Sequence, residues 1–422
     1  MEQITLDCFR PQLVCQIMDE ELGALGYLVI DRTVGANPCG GGIRFAPGLT
    51  VEEIAQLARV MTLKFSFLNF PHGGAKAGIT VPAPLFAQHR ERVMAAFGKS
   101  MGILLKRNVY FTGEDMGTTI DDINIIQQVL GNPPYLSSCD SIAYTALTVF
   151  EVIRQSVFHR GLKFSSLTAA IEGFGKVGSE LAVLLANEGV SIRAVSTASG
   201  ALYRSSGLDV GAMVSLRQTY GDSFVQHMKG ADLIDHADVL TQDVDLLIPC
   251  ARTWSIHIGN AARMKASLIV PAANAPVTPG AEQVLARKGV LYVPDFVANC
   301  GAVLSSRMSA LGFSGAVIRH TIQDVFAGKV ACLLEVAGHK GISPLQFARA
   351  IAWRNFHKMN EKAAPSLPGN TDRGCPSGKI REALSAMKKK ARLLARTEDD
   401  QQAAFSRFAQ RLVGAITVYP SE

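Results

Sequence analysis

The sequence predicts an α/β protein of two domains, one of them built on a doubly wound parallel sheet. Three observations predict it. The chain has 422 residues, 48% of them hydrophobic and 18% charged, which exceeds the usual size of one domain and suits a large core. An apolar strand over residues 167–171 runs into the glycine fingerprint Gly173-Phe174-Gly175-Lys176-Val177-Gly178. From residue 167 to about 296, apolar strands alternate with helical patterns, and such alternation implies parallel strands joined by crossover helices.

Taken in order, the first 140 or so residues mix strands, such as residues 26–30, with helices, such as residues 51–61. Gly131-Asn132-Pro133-Pro134 is a turn cluster, and a helix over about 145–156 crosses between the domains. After the fingerprint, residues 179–188 read as a helix stopped by Gly189, and residues 190–195 as a second strand, which completes a βαβ unit. Glycines there permit a tight turn and close approach of a pyrophosphate, and the helix start offers free N–H groups. Placed between strand and helix, the fingerprint predicts dinucleotide binding in a Rossmann-type domain. Residues 244–248, 267–270 and 289–293 are further short strands. Beyond Asn299 the chain reads as mostly helical, with a Pro/Gly/Ser-rich loop over residues 364–378.

Composition excludes several classes. The net charge of +6 is modest, and the basic run Lys388-Lys389-Lys390-Ala391-Arg392 is followed by Glu398-Asp399-Asp400, the pattern of a solvated helix face. No nucleic-acid motif accompanies it. No apolar stretch is long enough to cross a membrane, and residues 1–7 lack the plan of a signal peptide, so the cytoplasm is the expected compartment. Eight scattered cysteines without a C-x-x-C pair argue for reduced thiols and against a zinc site or disulfide framework.

Chemistry concentrates in the first domain. Residues 68–79 place Lys76 in a glycine-dense turn, twelve residues after Lys64. Burial and a second cation both lower a lysine pKa, which turns an ammonium into a general base. Tyr110-Phe111-Thr112-Gly113-Glu114-Asp115 brings acids to a second compact motif. Two lysines and an aspartate point to proton transfer on a substrate with a carboxylate. A glycine-rich turn around a lysine is also, by itself, an ordinary turn.

The blocks Gly40-Gly41-Gly42-Ile43-Arg44-Phe45, Met61-Thr62-Leu63-Lys64, Gly73-Gly74-Ala75-Lys76, Thr112-Gly113-Glu114-Asp115, Gly173 to Gly178, Asp245 to Ala251, Ala273-Asn274-Ala275-Pro276 and Pro294 to Gly301 stand in one order. In these the chain resembles the glutamate/leucine/phenylalanine/valine dehydrogenases, and Asp115-Met116-Gly117-Thr118-Thr119 is closer to the leucine/phenylalanine-type branch. The resemblance implies a substrate-binding and oligomerisation domain over residues 1–144 and a dinucleotide-binding domain over 145–335. It also implies a helical segment over 336–422 that returns to the first domain, and a homo-oligomer. It implies oxidative deamination of an L-amino acid with NADP or NAD. Lys76 would be the general base and Asp115 the proton shuttle. Lys64, with Gly40, Gly41, Gly42, Gly113 and Asn299, would line the substrate site. Gly173, Phe174, Gly175, Lys176, Val177, Gly178, Ser196, Thr197, Thr145, Cys250, Ala251, Asn274 and Asn299 would meet the coenzyme.

Two departures refine this. Gly40 stands where glutamate enzymes carry a lysine for the substrate side chain, so glutamate would lose its partner. Gly40 and Gly113 both leave room, which favours a large, aromatic side chain. Thr197 stands where the family usually has an aspartate for the adenosine ribose; losing that acid removes repulsion of a 2′-phosphate, which hydroxyls, Arg193 or Arg204 could meet, so the expectation tilts slightly to NADP, the alternative being weak or lost coenzyme binding.

Overall fold

The computed structural model describes residues 4–46, 48–135, 140–363 and 398–413. The expected loop at 364–378, the basic run at 388–392, Cys139 and Cys375 lie outside them. Two sheets organise the described residues. The first has the order β1(Leu13–Asp19)–β2(Gly23–Arg32)–β5(Gly73–Ile79)–β3(Cys39–Gly40)–β6(Tyr110–Phe111), with β4(Ile43–Phe45) also on β5. β1 and β2 form an antiparallel hairpin, β2 pairs antiparallel to β5, and β3 and β4 run parallel to β5.

Here one expectation is corrected: Lys76 lies in no turn but in β5, whose seven residues are all buried. The glycines serve packing. A Cβ on Gly73 would lie 1.9 Å from Arg32 O, and one on Gly74 would lie 2.2 Å from Thr62 N. Without side chains, β5 slides between β2 and the helix Val51–Phe67.

That helix, which carries Lys64, starts where the Thr50 side chain accepts from Glu53 N. It runs past the expected end because Leu63, Lys64, Phe65, Ser66 and Phe67 are all buried and continue its packed face. The helix Ser141–His159 starts under an Asp140 cap and crosses to the second sheet.

The second sheet has the order β10(Asp232–Ile234)–β9(Gly200–Tyr203)–β8(Ser191–Thr197)–β7(Thr168–Glu172)–β11(Leu246–Pro249)–β12(Leu268–Ile269)–β13(Leu291–Tyr292). From β8 to β13 the strands are parallel, as the alternation predicts. β9 and β10 extend the parallel sheet at one side as antiparallel strands. Thr197 pairs with Gly200, leaving two residues between the strands. A parallel connection needs a crossover of about a dozen residues.

The core of the second sheet extends into the first region through Leu57, Phe65, Phe67 and Tyr144. The helix Pro344–Ala363 packs back on the Lys64 helix. Phe408 of the helix Glu398–Val413 meets Phe70 and Phe313. Among the described residues, no helix is long and apolar enough to cross a membrane.

Candidate functional site

β5 and the Lys64 helix bring two lysines together, both nearly inaccessible at 3% (Lys76) and 4% (Lys64). The loop after β6 adds Asp115, and β4 adds Arg44. Lys76 Nζ lies 2.9 Å from Asp115 Oδ2, and Arg44 Nε donates to the same oxygen at 2.7 Å. Arg44 also reaches Glu53 at 3.3 Å and donates to Thr253 Oγ1 at 2.9 Å. Burial pushes the Lys76 amine down to about 8, with Asp115 opposing and Arg44 assisting. Burial pushes the Asp115 carboxyl up, but Arg44 and Lys76 outweigh it and hold it well below the usual carboxylate range.

Lys64 crosses to the second sheet. Its Nζ donates to Asn274 Oδ1 at 3.2 Å and to Asn299 O at 3.4 Å. Burial pushes its amine down, and Asp295 pulls the other way. Asn299 is fixed by its own amide, which donates to Ala272 O, Ala273 O and Asn274 Oδ1 at 3.0, 3.0 and 2.9 Å. Its Oδ1 is buried without a partner. Thus Lys64, Lys76, Asp115, Asn274 and Asn299 converge, although they come from both halves of the sequence. The Tyr110 hydroxyl holds the neighbouring turn by donating to Gly41 O at 2.6 Å. Gly42 backs onto the same motif, since a Cβ there would lie 2.6 Å from Glu114 O.

The room expected at Gly40 is filled. Gly40 pairs directly with Phe111 across β3 and β6. A Cβ at Gly40 would sit 2.2 Å from the Phe111 ring. At Gly113 it would sit 3.3 Å from the Tyr135 hydroxyl. The wall is therefore aromatic rather than open: Phe111 meets His72 at 5.3 Å and Phe65 at 6.1 Å between ring centroids.

The dinucleotide fingerprint caps β7. Gly173 has φ +102°, and its N–H donates to Ser196 Oγ at 3.0 Å. A Cβ on Gly175 would meet nothing within 4 Å, so the loop presents open backbone at the start of the helix Lys176–Asn187. Phe174 is buried, Lys176 is exposed and Val177 is half-buried. Gly178 packs on Gly173 O, and Cys250 and Ala251 close the other side. This donor set fits a pyrophosphate. Thr145 faces inward on its helix and donates to Ser141 O at 2.7 Å.

At the end of β8 the tilt to NADP loses its named support. The Thr197 hydroxyl donates to Asp222 O at 2.8 Å and accepts from Ser199 N at 3.1 Å. Arg193 lies at the opposite end of the strand, and Arg204 N donates to Arg193 O, so both arginines sit away from the fingerprint edge. A further polar neighbour at Thr197 is His236, whose Nε2 lies 2.6 Å from Thr197 O.

Sequence reasoning missed three site residues. Arg44 stood inside a recognised block without a role. Thr253 carried no signal. Phe111 stood in the Tyr110 to Asp115 block without a role, because its register opposite Gly40 shows only in the fold.

Residues 24–131 match the Glu/Leu/Phe/Val dehydrogenase dimerisation domain, and residues 138–320 match Glutamate/Leucine/Phenylalanine/Valine dehydrogenase. The chain is 33% identical over 299 residues to glutamate dehydrogenase of Thermotoga maritima, covering 67% of this chain and 71% of that protein. It is 34% identical over 286 residues to glutamate dehydrogenase A2 of Halobacterium salinarum, covering 64% and 68%. In fold it is similar to a hetero-hexameric glutamate dehydrogenase from Thermus thermophilus, with TM-score 0.71 and 24% identity over 86% of this chain and 91% of that one. It is also similar to L-tryptophan dehydrogenase from Nostoc punctiforme, with TM-score 0.57 and 22% identity over 84% and 99%. The convergent lysines, aspartate and dinucleotide loop sit on a chain that belongs to the glutamate/leucine/phenylalanine/valine dehydrogenase family, as a nicotinamide-dependent amino-acid dehydrogenase.

Proposed function

We propose that the protein catalyses reversible oxidative deamination of an apolar L-amino acid, aromatic side chains favoured, to its 2-oxo acid and ammonia. The observation that carries the reading is the single Asp115 oxygen shared by Arg44 and Lys76 in a cleft that also holds Lys64. Lys64, assisted by the Gly41 and Gly42 backbone, grips the substrate α-carboxylate. Lys76, with its amine near 8, takes the proton from the water that hydrolyses the imino acid. Asp115, kept ionised by its cations, carries a proton to and from the amino nitrogen.

The coenzyme, when bound, exchanges a hydride with the substrate Cα. Gly173 to Gly178 would hold its pyrophosphate, with Ser196, Thr197, Cys250 and Ala251 around the adenosine side. Thr145, Asn274 and Asn299 would frame the nicotinamide, and the orphaned Asn299 Oδ1 suits an N–H donor there. The substrate side chain lies against Phe111 and Tyr135, with Gly40 supplying no cation. Residues 1–144 act as the substrate and oligomerisation domain of a homo-oligomer. The exposed Leu13, Val14 and Met18 of edge strand β1 support an interface there. The six cysteines among the described residues are free thiols, which suits a reducing cytoplasm.

The test is product analysis: ammonia, 2-oxo acid and reduced coenzyme should form in equal amounts from an apolar amino acid. Reduced coenzyme without ammonia would end the reading.

A further inference from the structure

Lys329 lies in the helix Ala327–His339 and is 1% exposed. Its Nζ donates to Phe67 O at 2.5 Å and stands 4.2 Å from the centre of the Phe67 ring. No acid among the described residues acts on it: burial pushes its amine down to about 7, and its other neighbour is the Cys300 thiol. A buried lysine without a carboxylate is costly, and a leucine or methionine would fill the volume without that cost. A group kept on such terms calls for a function.

Phe67 ends the helix that carries Lys64, and the last carbonyls of a helix lack partners within it. Two of these carbonyls are met from distant elements. Phe67 O takes Lys329, and Ser66 O accepts from Asn355 Nδ2 at 3.0 Å. Both donors stand on helices that follow the dinucleotide-binding sheet, and the Asn355 helix packs along the Lys64 helix. Lys64 lies three residues before Phe67, on the same last turn. Cys300, acted on by both Lys64 and Lys329, directly follows Asn299, whose carbonyl Lys64 reaches. Lys329 thus touches the helix end that aims Lys64 and neighbours the segment that receives it.

We propose that Lys329, with Asn355, is a positioning latch: it ties the C-terminal turn of the Lys64 helix to the helices beyond the coenzyme sheet and so sets where Lys64 meets the substrate carboxylate. Lys329 acts through Lys64 and touches no substrate. The inference rests on the carboxylate-gripping role of Lys64 given above.

The test uses K329M, which removes the amine and keeps an apolar chain of similar length, and N355L. A displaced Lys64 weakens carboxylate binding before it affects chemistry. K329M should therefore raise the amino-acid KM about tenfold, with kcat and coenzyme Kd within roughly threefold of wild type. N355L should raise the same KM by less. Hydrogen exchange at the Leu68, Asn69 and Phe70 amides should accelerate in both variants. Unchanged KM with unchanged exchange overturns the latch. So does a joint worsening of KM, kcat, coenzyme Kd and unfolding temperature, which marks a lysine needed only for folding. If K329M fails to fold, N355L is read by the same criteria. The exchange measurement needs no turnover. If wild-type protein deaminates no amino acid, the functional reading falls while exchange still decides the latch.

Discussion

Arg44 and Lys76 donate to the same oxygen of Asp115, at 2.7 and 2.9 Å. The arrangement divides the protons of the cleft. Arg44 stays charged, Asp115 stays ionised, and of these three groups Lys76 titrates nearest to neutrality, at about 8. Pairs of groups whose surroundings push their pKa values apart are how one site supplies both an acid and a base.

The first prediction concerns Lys76. It is a base only when neutral, and its amine is pushed down to about 8. kcat/KM for deamination should rise with pH through that value and level off above it. K76A should lower kcat by roughly 10²–10⁴ and leave coenzyme affinity within about twofold, read by initial rates and fluorescence titration. Retained turnover would remove Lys76 from the mechanism.

Arg44 should act through Asp115 and Lys76. In R44M the carboxylate keeps only Lys76 and its pKa should climb, while Lys76 loses a neighbouring cation that holds its amine down. The acid limb of the pH–rate profile, set by Lys76, should therefore move to higher pH. A limb that stays in place would separate Arg44 from the Lys76 ionisation.

Glu172 precedes the fingerprint and accepts from Ser255 Oγ at 2.8 Å. Burial pushes its carboxyl up to about 7. Below that value it is neutral; above it, a negative charge appears beside the pyrophosphate loop. Coenzyme Kd should therefore increase between pH 6 and pH 8, by about threefold or more at the distances of a partly buried site. E172Q should flatten the dependence. A rise that persists in E172Q would assign it elsewhere.

Phe111 should govern side-chain preference. F111A removes the ring that covers Gly40, and should lower kcat/KM for phenylalanine relative to alanine by about tenfold. G40L should drive the ring away and also penalise large substrates more than small ones. Equal effects on both substrates would sink the pocket argument.

Much of this was legible in residue order, and the rest depends on pairings that order conceals. The fingerprint, its strand and its helix are local patterns, so Gly173 to Gly178 could be placed from the sequence. Lys64, Lys76 and Asp115 stood in blocks whose residue types carry their chemistry. The Arg44–Asp115 bond joins residues 71 apart, and only the pairing of β4 with β5 brings Arg44 beside Lys76. Gly40 read as empty space because its cross-strand partner Phe111 is set by register. Lys76 read as lying in a turn because glycine marks turns and close packing alike. Lys329 was given no role from the sequence, although its neighbours Val325, Phe326, Val330, Leu333 and Leu334 are apolar.

The central claim is tested most directly by absorbance of the reduced nicotinamide, with purified protein, a panel of L-amino acids and both coenzymes. The account predicts coenzyme reduction with phenylalanine, tryptophan or leucine, faster than with glutamate. Preference for glutamate would contradict the aromatic wall at Gly40, and no reduction with any amino acid, in protein that binds coenzyme, would contradict the reaction itself.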